Sequence, residues 1–169
     1  ASMFYMQVSA GADARANIEN INIVCTNLAS ADQPVLHLAS GITTMKNVTI
    51  TYTGADFPQN GTIEDKHLIA VKQSAKLVLE NCTLVDKSSG KLNVYAVLTQ
   101  NTATFSMDNT TVNTYGGFRC DAGTNVITNS KIAVASDVFL GKASFTVTDS
   151  ELITAKSSFT STIGRVTFN

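Results

Sequence analysis

The chain contains no tryptophan, two prolines and three cysteines among its 169 residues. Charged residues make up only 15% of it, and Lys plus Arg (12) almost balances Asp plus Glu (13). Without a basic surplus there is no stripe of cations to neutralise phosphates, so we expect no nucleic-acid partner. The apolar runs are too short to cross a bilayer, which takes about 20 apolar residues. We therefore expect a single domain, residues 1–169, with a surface rich in Thr, Ser and Asn.

Cysteine and histidine are too sparse to indicate a metal centre. Cys25, Cys82 and Cys120 include no C-x-x-C pair, so they fit either one disulfide with a free thiol or three small buried apolar residues. His37 and His67 have no carboxylate or cysteine at the spacing of metal ligands. We expect neither a metal nor another cofactor.

Six segments share one pattern, which runs from an apolar or small residue through any residue, an apolar residue and a polar residue to Asn or Asp, with a further apolar residue three positions on. The segments are ANIENINI, TTMKNVTI, LVLENCTL, FSMDNTTV, NVITNSKI and FTVTDSEL. Their shared amide or acid, which we call the anchor, falls at Asn20, Asn47, Asn81, Asn109, Asn129 and Asp149. Consecutive anchors are 20 to 34 residues apart.

A second apolar triplet precedes each of the last five anchors by nine to eleven residues. The triplets are Leu36-His37-Leu38, Ile69-Ala70-Val71, Ala96-Val97-Leu98, Phe118-Arg119-Cys120 and Val138-Phe139-Leu140. Alternation of apolar and polar residues, with many Val, Ile and Thr, predicts at least two short strands in each repeat. Met3–Val8 and Phe159–Phe168 predict further strands at the two ends.

Short strands that recur with Asn at a fixed corner predict an all-β fold, a single-stranded parallel β-helix (a solenoid) of about six to seven coils. We expect one inward stack at Leu38, Val71, Leu98, Cys120 and Leu140. We expect another at Ile23, Ile50, Leu84, Val112, Ile132 and Leu152. At the corners, which we expect to be buried, the anchor amides would form a structural ladder that satisfies backbone groups along the axis.

The longest insertion, residues 54–66, interrupts this pattern as a loop that contains Asn60 and a cluster of acids. The acids lack the Asp/Asn-Gly rhythm of a calcium loop. Long loops on rigid repeats often carry function, although a solvated connector is the commoner case. Asn60 and three of the anchors, Asn47, Asn81 and Asn109, stand in N-x-Thr sequons. Because we expect the anchors to be buried, only Asn60 would be an accessible glycan acceptor.

The anchor pattern resembles that of the pectin-lyase-like superfamily of right-handed parallel β-helices over nearly the whole chain. Residues 104–155, with TFSMDNTTVNTYGGF and SKIAVASDVFLGKASFTVTDSELI, are similar to pectin methylesterases. That resemblance implies Asp137 as a candidate catalytic nucleophile. Gly116 and Gly117 stand where the family has its Gln and its general-acid Asp, and the family's Gly-Arg-Pro-Trp motif has no counterpart. A lone carboxylate makes a poor esterase site, which favours Asp137 as a surface acid paired with Arg119 or Lys142.

The outward side chains of the triplet strands form a candidate ligand-binding face. Strand alternation predicts that this face carries aromatic and charged groups suited to sugar rings, namely Tyr95, Arg119, Asp121, Asp137 and Phe139. The alternative is that a loop or a neighbouring domain covers these residues.

We therefore expect a non-catalytic β-helix domain of a secreted or cell-surface protein that contacts polysaccharide. One alternative is a carbohydrate-active enzyme of the pectinesterase or lyase kind, or a fragment of one. Another is a structural stalk, as in adhesins and phage tail spikes. Because neither end shows a cap, we expect flanking domains of a longer chain, or an oligomer, to cover the ends of the helix.

Overall fold

The computed structural model of the chain describes residues 4–6, 14–26, 34–53, 67–86, 95–114, 116–135, 138–154, 159–161 and 165–169. Over these residues the protein is all-β, and its strands form three sheets. None of the described segments is a helix long and apolar enough to cross a membrane. Asn60 and the rest of the 54–66 insertion lie outside the described residues.

The strands alternate among the three sheets in a fixed order along the chain. Sheet A contains β1 (Phe4–Met6), β4 (Leu36–Leu38), β7 (His67–Val71), β10 (Tyr95–Thr99), β13 (Phe118–Cys120), β16 (Val138–Leu140) and β19 (Phe159–Ser161). Sheet B contains β2 (Arg15–Glu19), β5 (Ile42–Lys46), β8 (Lys76–Glu80), β11 (Thr104–Asp108), β14 (Thr124–Thr128), β17 (Ser144–Thr148) and β20 (Arg165–Phe168). Sheet C contains β3 (Asn22–Cys25), β6 (Thr49–Tyr52), β9 (Thr83–Asp86), β12 (Thr111–Thr114), β15 (Lys131–Val134) and β18 (Glu151–Thr154).

Each strand pairs in parallel with the strand three places later in the chain. A repeat therefore consists of three strands, one in each sheet, and successive repeats stack on one another. This arrangement is compatible with a parallel β-solenoid. The anchor segments contain two of the three strands of a repeat, one on each side of the anchor, and the triplet supplies the third.

The core lies between the three sheets and is filled by alternate residues of the strands. The predicted stack on sheet C is confirmed, because consecutive pairs join Ile23, Ile50, Leu84, Val112, Ile132 and Leu152. Next to it, Phe105 packs against Phe118 with ring centroids 5.7 Å apart and against Phe145 at 6.0 Å. Burial of such large side chains is the main favourable term in folding, about 25 cal/mol for each Å² of apolar surface.

The predicted stack on sheet A is wrong by one residue in β10. Val71 pairs with Thr99, and Thr99 pairs with Cys120, so Thr99 occupies the inward position that we assigned to Leu98. Val97 and Thr99 are both 0% exposed. Since the side chains of a strand alternate between its faces, a shift of one residue exchanges the inward and outward sets. The apolar run from Ala96 to Leu98 concealed this shift because it has no polar residue to mark a face.

The anchors lie at the corner between sheets B and C, and all six have positive φ, from 47° to 57°. Asn and Asp tolerate this left-handed conformation better than other residues with a side chain, which explains their recurrence. The anchor amides are nevertheless exposed, so the expectation of buried corners is wrong. A tight corner turns its Cα–Cβ bonds away from the core, and each amide then meets the next one along the outside.

Three hydrogen bonds join the first four anchors into an exterior amide ladder. The Nδ2 of Asn47 donates to Oδ1 of Asn20 at 2.9 Å, and the Nδ2 of Asn81 donates to Oδ1 of Asn47 at 2.6 Å. Asn109 Nδ2 donates to Oδ1 of Asn81 at 3.2 Å. At the next step Asn129 Nδ2 donates to Oδ1 of Asp108 at 3.0 Å instead of to an anchor, so the amide series changes partner there.

Behind the exterior ladder, the residue that follows each later anchor forms an interior hydroxyl ladder. Thr110 N–H donates to Ser130 Oγ at 3.0 Å, and Ser130 N–H donates to Ser150 Oγ at 2.9 Å. Each hydroxyl also donates back to the carbonyl two residues earlier, as Ser130 Oγ does to Thr128 O at 2.7 Å. Cys82 holds the equivalent place one repeat earlier, with its N–H 3.4 Å from Thr110 Oγ1. This corner thus satisfies its backbone donors with side-chain oxygens.

We predict that Asn81→Ala destabilises the protein more than Asn81→Gly. Both variants lose the two amide bonds of the ladder, which at an exposed site contribute about 1 kcal/mol or less each. Only alanine adds the cost of a Cβ in the left-handed conformation, about 1–2 kcal/mol. Urea unfolding of the two variants beside the parent measures both terms. Equal free energies of unfolding for Ala and Gly would show that the positive φ does not select the anchor residue.

We predict that Ser130→Ala destabilises by about 1–3 kcal/mol, because the buried N–H of Thr110 loses its acceptor. Ser130→Thr is the matched control, since Thr110 itself carries a hydroxyl and an extra methyl at the equivalent position. We expect the threonine variant to stay within about 1 kcal/mol of the parent. Loss of stability in both variants alike would indicate a steric effect and contradict a role for the hydroxyl.

Candidate functional site

The face that we predicted as a binding surface runs along the outward side of sheet A. Arg119 pairs across the sheet with Leu98 on one side and with Phe139 on the other. Tyr95 lies three positions before Leu98 in β10 and pairs with His67. It is therefore not the cross-strand neighbour of Arg119. The side chains of Tyr95 and Phe139 lie outside what the structure describes, and so does Asp137 altogether.

The predicted face does bring Arg119 and Asp121 together. The Nε of Arg119 lies 3.0 Å from Oδ1 of Asp121, and the two side chains are 21% and 30% exposed. Arg119 therefore has an acidic partner that we did not predict, namely the residue just beyond the end of its own strand. His37 lies further along the same face. Its pKa is lowered mainly by burial and secondly by the charge of Lys72. A neutral imidazole near Lys72 avoids repulsion between two cations.

Part of the outward side of sheet A is closed to solvent. In β7 and β10 the residues that alternate with the inward Ile69 and Val97 include Leu68 at 1% exposed, Ala70 at 0% and Ala96 at 1%. At these three residues the outward side is thus shielded from solvent. An extended ligand that ran along the axis over sheet A would meet a covered stretch at β7 and β10.

A groove lies on the outward side of sheet B. Its volume is about 610 Å³, and it lies across β8, β11 and β14. Its outward lining residues are Lys76, Val78, Thr104, Ser106, Thr124 and Val126. We did not predict this groove, because from the sequence we assigned only the inward positions of these strands. The signal was present in the alternation itself, since T-x-S in β11 and T-x-V-x-T in β14 put small polar groups opposite the core.

The groove side chains stand in register from strand to strand. Thr104 pairs with Lys76, and Ser106 pairs with Val78 on one side and Val126 on the other. Neighbouring strands lie about 4.8 Å apart, so a chain laid across them meets a new side chain at that interval. The groove is chemically mixed, since three hydroxyls alternate with two apolar side chains and one ammonium group at its edge.

The turn that leads into β14 fixes one wall of the groove. Gly123 has φ of +81°, and a Cβ at this residue would lie 2.6 Å from the carbonyl oxygen of Ala103. A side chain would therefore be strained by the backbone conformation and would also collide with the neighbouring repeat. Glycine at this place lets two successive turns approach closely beside Thr104 and Thr124.

A second, smaller cavity of about 300 Å³ lies on the outward side of sheet C. Asn113, Ala133 and Ile153 line it, and Ile153 is 46% exposed. Asp86 and Thr114 also line it, so this cavity combines a carboxylate, an amide and a hydroxyl with apolar side chains.

The thiols of the described strands are buried. Burial raises the pKa of Cys120 to about 12, an effect that a hydrogen bond with Thr99 opposes and the charge of Asp121 reinforces. Burial also raises the pKa of Cys82, against hydrogen bonds with the backbone of Val48 and Glu80. Cys82 and Cys120 are free thiols, and Cys25 is buried as well. Among the described residues, no three His, Cys, Asp or Glu side chains are grouped closely enough to hold a metal ion.

No family model, no curated protein and no solved structure matches the chain.

We predict that Cys82 and Cys120 do not react with a water-soluble disulfide reagent in the native protein at pH 8. Because the pKa of each thiol is raised, the reactive thiolate is scarce below the folded pKa, and burial blocks access as well. After unfolding in guanidinium both should react within minutes. Peptide mapping of the labelled sites provides the measurement, and rapid native labelling of Cys120 would contradict its place in the core.

Proposed function

We propose that the chain is a non-catalytic, right-handed parallel β-helix of the pectin-lyase-like kind, with about six to seven coils. In this proposal it belongs to a secreted or cell-surface protein and binds polysaccharide in the groove of sheet B. The observation that carries the proposal is the groove itself, an open cavity of about 610 Å³ whose polar and apolar side chains stand in strand register.

The lining chemistry suits a sugar chain. Thr104, Ser106 and Thr124 supply hydroxyls that both donate and accept hydrogen bonds. Val78 and Val126 offer methyl groups to the C–H faces of sugar rings. A pyranose presents the same mixture, with hydroxyls around its edge and an apolar face. Contacts of this kind are individually weak, so useful affinity requires several units of one ligand or several copies of the protein.

The groove differs in two ways from the sheet A face that the sequence suggested. Its lining residues are accessible, whereas Leu68, Ala70 and Ala96 on the outward side of sheet A are buried. It also lies away from Gly116 and Gly117, the buried glycines that replace the Gln and acid of the esterase pattern. A groove without a carboxylate in its lining supports binding rather than hydrolysis, since general acid–base chemistry needs a titrating group at the reacting bond.

We predict that Ser106→Arg abolishes the binding of soluble glycans, because the long side chain fills the groove between Val78 and Val126. Thr111→Arg is the matched control, since it adds the same group to an exposed outward position of β12 in sheet C. Chemical-shift mapping and titration with a panel of neutral and acidic oligosaccharides measure the affinity. For the parent we expect a dissociation constant in the millimolar range, and we expect Ser106→Arg to weaken it at least about tenfold.

The alternatives give different results in the same panel. Loss of binding in Arg119→Ala but not in Ser106→Arg would move the site to the sheet A face. Absence of binding to every glycan would reject the proposal and favour a structural stalk. Turnover of methylated pectin that disappears in Asp137→Ala would replace the proposal with the esterase reading.

A further inference from the structure

The outward side of sheet B differs in charge between β2, β5 and β8 and the later strands β11, β14 and β17, and the groove spans the change. In β2, β5 and β8, five of the nine outward residues are charged: Arg15, Glu19, Lys46, Lys76 and Glu80. In β11, β14 and β17, eight of the nine are uncharged, and Asp108 is the exception. Those eight are Thr104, Ser106, Thr124, Val126, Thr128, Ser144, Thr146 and Thr148. Seven of the eight carry a hydroxyl and Val126 does not; we call the eight together the hydroxyl array.

The hydroxyl array is a two-dimensional lattice fixed by the backbone. Thr124 pairs with Ser144, Val126 with Thr146 and Thr128 with Thr148, so the rows continue from strand to strand. Strands lie about 4.8 Å apart, and outward residues of one strand lie about 6.7 Å apart. Ser144 Oγ donates to Thr124 Oγ1 at 3.2 Å, which orders neighbouring hydroxyls of one row. Threonine and valine are also restricted at χ1, so these side chains lose little freedom on binding.

We propose that the hydroxyl array adsorbs to an ordered, uncharged, repeating surface, namely the crystalline face of a neutral polysaccharide. This inference rests on the proposed function and specifies its ligand. A rigid lattice of short side chains contacts only a few groups of a flexible soluble chain, but it can meet many equivalent groups of a regular surface at once. Each contact is weak, and simultaneous engagement supplies the affinity. Since Asp108 is the one charged outward residue among nine in these three strands, the face fits a surface that offers hydroxyl and C–H groups.

Adsorption to insoluble polymers tests the inference. The protein is mixed with microcrystalline cellulose or chitin, with amorphous preparations of the same polymers, and with soluble hexasaccharides of the same sugars. Depletion from solution measures adsorption, and titration measures soluble binding. We expect half-saturation on at least one crystalline polymer at a protein concentration at least about tenfold below the dissociation constant for the matching hexasaccharide.

Two variants in one row of sheet B locate the surface. Thr146→Lys places a long charged side chain in the array on β17, and we expect it to weaken crystalline adsorption at least about tenfold. Thr44→Lys makes the same substitution in β5, in the row that continues through Val78, Ser106, Val126 and Thr146 but among the charged strands. We expect this control to adsorb like the parent, and thermal unfolding of each variant verifies that it is folded.

The possible failures are distinguishable. If the hexasaccharides bind as tightly as the crystalline polymer, or if Thr44→Lys and Thr146→Lys behave alike, the inference is overturned while glycan binding in the groove stands. If the protein binds no glycan in any form, the proposed function fails and this inference fails with it. Adsorption to growing ice crystals without adsorption to any glycan would also overturn the inference, because the array would then match ordered water.

Discussion

Parallel pairing between strands of successive repeats is the interaction on which everything else in this protein depends. It fixes which residues stack in the core, and it gives outward residues their common spacing. It needs a corner that returns the chain to the same register after each repeat, and the positive-φ anchors supply that corner. The spacing between anchors varies from 20 to 34 residues, so the extra length is taken up elsewhere and the register survives it.

Much of the fold was predictable from the sequence, because the corner and the core leave strong signals. The anchors mark where strands end, and the stack from Ile23 to Leu152 follows from counting three residues beyond each anchor. β10 was misassigned because its apolar run hides the alternation, and only pairing with β7 and β13 decides that Thr99 faces inward. The exposure of the anchors was also missed, since spacing along the chain does not tell which side of a corner meets water.

The candidate site was harder to predict for a physical reason. Core positions are selected by a shared property, burial of apolar groups, and so they repeat; outward positions have no such constraint in common. Arg119 and Phe139 attracted attention as conspicuous residue types, yet the groove is built from ordinary Thr, Ser and Val side chains. Their significance comes from cross-strand register and from the buried outward residues of sheet A, neither of which is visible in one dimension.

The two ladders at the anchor corner overlap around Asn81 to Thr110 and then part. In the first repeats, hydrogen bonds between solvent-exposed amides join the corners. In the last repeats, backbone N–H groups bond to hydroxyls that are buried or partly buried. Water competes for the first kind of bond and not for the second. Water therefore reaches the hydrogen bonds of this corner more easily in the first repeats than in the last. Small fluctuations at the corner should admit solvent readily near Asn47 and seldom near Ser130, although the backbone path is the same.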